Sequence, residues 1–122
     1  MDDKTQIQFL QREYAARFDA RDPEGFANLF TLDAEVVLPN GYKLTGHEKM
    51  LKVVRNTPPG GVHLPEVGPI QIEGDTATAS SRFRFEPGSG EVVTGEYEDR
   101  FVRTPDGWRF AFRRSIPDAA AG

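Results

Sequence analysis

The chain contains no cysteine among its 122 residues, which excludes disulfide bonds, thiolate nucleophiles and cysteine metal ligands. No stretch approaches the ~18 consecutive apolar residues of a membrane-spanning helix, and the Met-Asp-Asp-Lys start lacks the apolar segment of a secretory leader. The two histidines, His47 and His63, lie sixteen residues apart, which is not a metal-ligand spacing. We therefore expect a cytoplasmic protein with no metal and no membrane partner.

Charge of both signs is spread along the chain. The 19 acidic and 15 basic residues are intermixed and give a net charge of −4, which disfavours nucleic acid as a partner. The apolar fraction of 38% is too high for a disordered chain. This length suits one core, so we expect a single domain over 1–122 with a flexible tail at 116–122.

Helix signals lie in the first half of the chain. Three helices are predicted, over residues 4–20, 23–30 and 46–55. The first has a stripe of apolar residues at three- and four-residue steps: Ile7, Leu10, Tyr14 and Phe18. The second begins with Asp22 as N-cap and Pro23 in the first turn. Thr45 and Glu48 predict a capping box at the start of the third.

Strand signals lie in the second half. Asn40-Gly41 predicts a tight hairpin after a short strand at 35–38. Four more strands are predicted, over residues 62–72, 76–86, 91–103 and 107–115. Alternation of apolar and polar residues predicts an antiparallel sheet with one buried face, which would carry Tyr97, Asp99, Phe101, Trp108, Phe110 and Phe112. The arginines Arg82, Arg84, Arg109 and Arg113 are expected on the opposite face. Helices followed by strands indicate an α+β fold.

Four local patterns point to one superfamily. They are Asp-Ala-Arg-Asp at 19–22, Leu-Phe-x-x-Asp-Ala at 29–34, Gly-x-x-x-x-Gly-x-Glu at 41–48 and the segment from Tyr97 to Arg109. Together with the helix–helix–strand opening, they resemble the nuclear transport factor 2-like superfamily, which includes SnoaL-like cyclases, ketosteroid isomerases and scytalone dehydratases. The resemblance implies a cone-shaped, cystatin-like fold, in which three N-terminal helices pack on a curved, mainly antiparallel sheet and enclose a pocket.

The first candidate for chemistry is Asp19 with His63. Scytalone dehydratase-like relatives have an aspartate at the end of the first helix and a histidine just beyond the third, as this chain does. A histidine oriented by a carboxylate can act as both acid and base near neutral pH. The chain departs from that family in having no second histidine in 91–115, and in having Phe18 and Leu38 where the family has tyrosines. The alternative is that Asp19 solvates a helix end and His63 is an ordinary strand residue.

The second candidate is Tyr14 with Asp99. Ketosteroid isomerase-like relatives resemble the chain at both positions, where a tyrosine and a protonated aspartate form an oxyanion hole. That family's general base aligns near Leu38, which cannot remove a proton. An inward aspartate among aromatic residues must be protonated or paired. Asp99 could therefore act as a donor, pair with an arginine such as Arg113, or face water at a strand bulge.

Six further residues are expected to line a substrate pocket: Phe18, Leu38, Tyr97, Phe101, Trp108 and Arg113. If the curvature of the sheet turned Arg113 towards the pocket, it could anchor a substrate carboxylate. The resemblance implies a cofactor-free lyase, isomerase or cyclase acting on a small apolar or aromatic molecule. The alternative is a non-catalytic ligand-binding or dimerisation domain of the same fold. An open apolar sheet face would favour a homodimer.

Overall fold

The computed structural model describes residues 2–119. Three helices, α1 (Asp3–Asp19), α2 (Pro23–Ala27) and α3 (His47–Asn56), are all in the first half of the chain. A hairpin of β1 (Phe30–Val37) and β2 (Lys43–Thr45) separates the last two helices. Five strands follow: β3 (Val62–Glu66), β4 (Ile70–Glu73), β5 (Thr76–Glu86), β6 (Val93–Thr104) and β7 (Gly107–Pro117). The α+β class and the helix-first order are as predicted.

The strands form one sheet in the order β2-β1-β7-β6-β5-β3, and β4 pairs with the other half of β5. Every pairing is antiparallel except that of β1 with β7, so the sheet is mixed but mainly antiparallel. The single strand predicted over 62–72 is instead two short strands. Gly68 interrupts it where the chain lies against β5, because a Cβ there would be 2.3 Å from the Ser80 carbonyl oxygen.

The predicted start of α2 is confirmed, and that of α3 is wrong. Asp22 accepts a hydrogen bond from the Gly25 backbone N–H at 2.9 Å, with Pro23 in the first turn. Gly46, not Thr45, is the N-cap of α3, and no side chain caps that helix. The φ of 88° at Gly46 is readily adopted only by glycine, so the helix begins after it and Thr45 remains in β2, opposite Glu35.

The core lies between α1 and the inner face of the sheet. Helix α1 contacts β3, β4 and β7. The largest fully buried side chains are Trp108, Arg113, Phe26, Phe101, Phe110, Ile7, Met50, Val36 and Val54. One member of this set is charged. Burial of an arginine among aromatic side chains requires a partner for its charge, which we describe below.

A bulge in β7 reverses the predicted orientation of two residues. Phe101 pairs with Phe110, but the neighbouring Arg100 pairs with Phe112, so Ala111 is an extra residue in β7. Beyond it the side chains exchange faces: Phe112 lies on the outer face and Arg113 points into the core, 1% exposed. The expectation that Phe112 lies on the buried face and Arg113 opposite it is therefore wrong, because strict alternation holds only while the pairing is regular.

The flexible tail expected at 116–122 begins later than predicted. Ile116 and Pro117 still pair with β6. Asp118 accepts hydrogen bonds from Arg82 on β5 and from Thr94 on β6. Residues 120–122 lie outside the described part of the chain. The strand continues because its last residues find partners on two neighbouring strands.

The outer face of the sheet differs from the apolar surface on which the homodimer prediction was based. The outward residues on β5 and β6 are mostly polar or charged, namely Thr78, Ser80, Arg82, Arg84, Glu96, Glu98 and Arg100. Phe112 lies among them, with the guanidinium carbons of Arg100 and Arg114 at 4.8 and 5.5 Å from its ring centroid. The homodimer stays a prediction. Within residues 2–119, no helix is both long and apolar enough to cross a membrane.

The first turn of α1 is held to the sheet by an ionic contact. Arg103 donates to both carboxylate oxygens of Asp3 at 2.8 Å, and the Trp108 indole N–H donates to Asp3 at 3.1 Å. The hydrogen bond from Arg103, followed by that from Trp108, lowers the pKa of Asp3 to about 2. Asp3 thus stabilises the folded state while it is ionised.

We expect the Asp3→Asn variant to lose part of the acid dependence of stability. The folded-state pKa of Asp3 lies below its ordinary value of 3.8, so its contribution is complete above that value. The contribution decreases as the pH falls towards about 2. In urea titrations the wild-type protein should exceed the variant in stability at pH 5, and the difference should shrink by pH 2.5. Asp106→Asn, at an exposed turn, is the control. A difference that is independent of pH would contradict this role of the carboxylate.

Candidate active site

Asp19 and His63 form a direct pair although they are 44 residues apart. The ring Nδ1 of His63 lies 2.6 Å from Asp19 Oδ1. The backbone N–H of His63 donates to Asp19 Oδ2, also at 2.6 Å. The two carboxylate oxygens thus hold both the main chain and the ring of the same residue. With Nδ1 donating to the carboxylate, Nε2 is the ring nitrogen that has a lone pair to accept a proton.

The helix itself does not favour a carboxylate at the position of Asp19. Asp19 is the last residue of α1, where unpaired carbonyl groups make a negative charge unfavourable. Its contacts come instead from the backbone and ring of His63, at the start of β3. The helix-end alternative, in which Asp19 is only solvated, is therefore not what the structure shows.

Arg21 connects the end of α1 to the segment that leads into β3. It has a left-handed φ of 57°, and its guanidinium donates to the backbone oxygens of Thr57 at 2.5 Å and Arg55 at 3.3 Å. These carbonyl groups are at the C-terminal end of α3, where a cation is favourable. The contact places the loop 57–61 beside Asp19, and His63 follows two residues later.

Three aromatic rings surround His63. Phe85 lies opposite it on β5, with ring centroids 4.3 Å apart. Phe18 and Tyr14, from α1, present edges at 4.9 and 6.0 Å. The His63 side chain is only 11% exposed. The histidine is therefore in an apolar environment whose polar contact is with Asp19.

Asp99 and Arg113 form a second, fully buried pair. Arg113 donates from Nε to Asp99 Oδ1 at 2.7 Å and from Nη2 to Oδ2 at 2.9 Å. The two side chains are 0–1% exposed. Of the alternatives for Asp99, the structure shows the ion pair. The carboxylate accepts two hydrogen bonds from Arg113 and is not arranged as a hydrogen-bond donor.

Aromatic rings also surround the Arg113 guanidinium. Its central carbon is 3.6 Å from the ring centroid of Tyr97, 4.3 Å from that of Tyr14 and 4.8 Å from that of Phe110. Burial lowers the pKa of Arg113, but the Asp99 carboxylate outweighs it and the net pKa lies above the ordinary value. Burial raises the pKa of Tyr14 and Tyr97. Both phenols are therefore neutral hydrogen-bonding groups.

Tyr14 connects the two pairs. Its ring lies against His63 on one side and against the Arg113 guanidinium on the other. Tyr97 is also near, with ring centroids 5.8 Å apart. The four predicted catalytic residues, Tyr14, Asp19, His63 and Asp99, are thus in one cluster together with Phe18, Tyr97 and Arg113. We call these seven residues the inner cluster.

Three of the predicted pocket residues are not in contact with the dyad. Trp108 is at the other end of β7, where it binds Asp3 and packs under Arg103. Phe101 packs on Phe110, with ring centroids 4.7 Å apart. Leu38 is partly buried at the end of β1, where its backbone N–H donates to the Tyr42 oxygen. Their assignment as substrate-binding residues stays a prediction.

Sequence reasoning missed two aromatic residues beside the site. Phe85 contacts His63, and Phe83 stacks on Tyr97 with ring centroids 4.3 Å apart. Alternation along β5 indicates that both point inwards, but it does not reveal what they contact. That depends on the pairing of β3 with β5, which places His63 opposite Phe85.

The space around the dyad is small. A cavity of about 10 Å³ is lined by Phe18, Asp19, Arg21 and the loop 57–61, which is room for about one water molecule. Hollows of about 360 and 430 Å³ are found on the outer sheet surface and beside α1. No group of three or more histidine and acidic side chains in residues 2–119 could hold a metal ion.

Comparison with known proteins gives the family. Residues 1–114 match the family described as the SnoaL-like domain. This chain belongs to the SnoaL-like family. The SnoaL-like chain is also 32% identical over 127 aligned residues to the uncharacterised protein Rv2910c of Mycobacterium tuberculosis. That match covers 91% of this chain and 82% of the relative.

Solved structures of low sequence identity share the fold. A protein from Novosphingobium aromaticivorans, described as NTF2-like with a cystatin-like fold, superposes with a TM-score of 0.88 at 22% identity. The match covers 98% of the SnoaL-like chain and 84% of that protein. A second protein of the same organism, provisionally assigned as a scytalone dehydratase, has a TM-score of 0.81 at 21% identity and coverages of 95% and 84%. The predicted fold family is thus confirmed.

Proposed function

We propose that this SnoaL-like chain is a cofactor-free lyase, isomerase or cyclase that removes a proton from a small apolar or aromatic carbonyl compound. The observation that supports it is the Asp19–His63 pair, in which Nδ1 faces the carboxylate and Nε2 is left as the base. This arrangement is of the kind used for general base catalysis. Membership of the family and the likeness to a provisional scytalone dehydratase support the same reaction class.

The proposed step breaks one C–H bond next to a carbonyl group. His63 Nε2 takes the proton, and the electron pair of that bond moves to form an enolate, with the negative charge on the carbonyl oxygen. Donors beside that oxygen would lower the barrier. Tyr14 and Arg113 are the donors of the inner cluster nearest to His63. The imidazolium then returns the proton, either to another carbon or to a departing hydroxyl group that leaves as water.

The role proposed for Asp99 is to hold Arg113 in place. Because Asp99 accepts from Nε and Nη2, Arg113 has a fixed orientation and its charge is balanced. A second carboxylate at this site would add a negative charge near Asp19 and Asp99. The proposal is therefore for a neutral substrate, in place of the carboxylate anchored by Arg113 that the sequence suggested.

The proposal is tested by hydrogen exchange on a probe ketone. We expect the wild-type protein to accelerate deuterium uptake at C2 of 1-tetralone in D2O, followed by proton NMR, above the rate in buffer. The His63→Ala variant should lose about 100-fold or more of that acceleration, since a positioned base contributes 10²–10⁴-fold.

The matched control is His47→Ala, which removes a partly exposed histidine near Glu24 and should retain the full rate. Undiminished exchange by His63→Ala would contradict the proposed base. The alternative, a non-catalytic binding domain, is favoured by the closely packed interior around the dyad. It predicts that 1-tetralone binds to the wild-type protein without any acceleration of exchange.

A further inference from the structure

Gln11 is a buried polar residue that the fold does not use. Its side chain is in the core at 2% exposure, and neither Oε1 nor Nε2 has a hydrogen-bond partner within residues 2–119. A buried amide with both atoms unpaired is destabilising, and native proteins rarely keep one without a reason. A leucine of similar volume would fill the same space without that cost.

The position of Gln11 on α1 directs it to the interior of the cone. Ile7 precedes it by four residues, and Tyr14 and Phe18 follow it by three and seven, so all four share one face of the helix. Asp19 is eight residues further, which is about 12 Å along the helix axis. Gln11 is therefore on the same side of α1 as the inner cluster but well away from the dyad.

Arg113 Nη1 is a second unpaired polar group. It has no hydrogen-bond partner in the described chain, although Nε and Nη2 of the same guanidinium both bind Asp99. The β5 residues facing the core in this part of the sheet are small: Ala77, Ala79 and Ser81. Ala79 is directly opposite Asp99. Small side chains here leave a ligand less to displace than the phenylalanines nearer His63 would.

We propose that Gln11 is a specificity-determining residue that binds a hydroxyl group on the end of the substrate remote from His63. This inference rests on the proposed function, because it takes the reacting carbonyl to lie by His63 and Arg113. A hydroxyl group both donates and accepts, so it can bind either atom of the amide. The ligand class is a neutral ring compound with a carbonyl group at one end and a hydroxyl group at the other.

The experiment compares two probe ketones that differ by one hydroxyl group. Calorimetric titration should show that the wild-type protein binds 6-hydroxy-1-tetralone about tenfold more tightly than 1-tetralone, since a buried polar group left unpaired penalises the ligand that cannot bind it. In Gln11→Leu that preference should disappear and the melting temperature should rise. Gln11→Met, also unbranched, is a second variant with the same expectation. Gln8→Leu, a change at a partly exposed glutamine on the same helix, is the control and should keep the preference.

Two results would overturn the inference about Gln11 alone: equal affinity of the wild-type protein for the two ketones, or a preference that persists in both Gln11 variants. In either case, deuterium exchange on 1-tetralone that depends on His63 would leave the proposed function standing. Conversely, a preference that depends on Gln11, without any exchange, would contradict the proposed function and support Gln11 as a binding residue. Failure of both ketones to bind would contradict both.

Discussion

Replacement of Arg113 by methionine is expected to lower the free energy of unfolding by about 3–5 kcal/mol, the usual cost of removing one partner of a buried ion pair. Asp99 would remain in the core with both carboxylate oxygens unpaired, because its hydrogen bonds come from Arg113 Nε and Nη2. The stacking of the guanidinium on Tyr97 and Tyr14 would be lost as well. Urea-induced unfolding followed by Trp108 fluorescence measures the change.

A double variant separates the uncompensated charge from the loss of packing. Asp99→Leu combined with Arg113→Met removes both charges and keeps apolar volume, so it should recover most of the lost stability. Arg114→Met, at the neighbouring exposed position, should change the stability by less than about 0.5 kcal/mol. If the double variant were less stable than Arg113→Met alone, the pair would stabilise the fold by more than mutual charge compensation, and this account would be wrong.

Replacement of Asp19 by asparagine is expected to lower the acceleration of deuterium exchange on 1-tetralone by about 100-fold or more. The carboxylate accepts from His63 Nδ1, which leaves Nε2 as the base. An amide nitrogen at that place would donate to Nδ1 and favour the tautomer with its proton on Nε2. In serine proteases, the same substitution beside the catalytic histidine costs about 10⁴-fold through this effect.

The Asp19→Asn variant should remain folded, because the amide oxygen can still accept from the His63 backbone N–H. Its melting temperature and circular dichroism are therefore the internal check. Asp33→Asn, at an exposed position that accepts only from Thr31, is the matched control and should exchange at the wild-type rate. A folded Asp19→Asn variant with full exchange activity would show that the carboxylate does not orient the base.

Local signals predicted much of the fold. The start of α2 depends on Asp22 and Pro23, whose effects act within one helical turn. The long strands follow from alternation over more than ten residues, and β5, β6 and β7 all start within two residues of the prediction. The start of α3 was misplaced for the same reason, since Gly46 and Thr45 offer competing local signals and the backbone of Gly46 decides between them.

The candidate site could be predicted only in part. Asp19, His63, Tyr14 and Asp99 were chosen from a resemblance, and their residue types suggest chemistry without giving distances. Whether Asp99 is a donor or an ion-pair partner depends on the face to which Arg113 points. That in turn depends on one extra residue, Ala111, in the pairing of β7 with β6. No periodicity in 107–117 marks that bulge.

The opening absences and the local patterns are enough to specify an α+β chain without thiol chemistry, because composition, helix caps and strand alternation act between near neighbours. The contacts that define the inner cluster form across 44 residues in the Asp19–His63 pair and across a bulged strand pair in Asp99–Arg113. Such contacts depend on strand register, and a shift of one residue moves a side chain to the opposite face. Only the tertiary structure could therefore show that Arg113 lies in the core beside Tyr14.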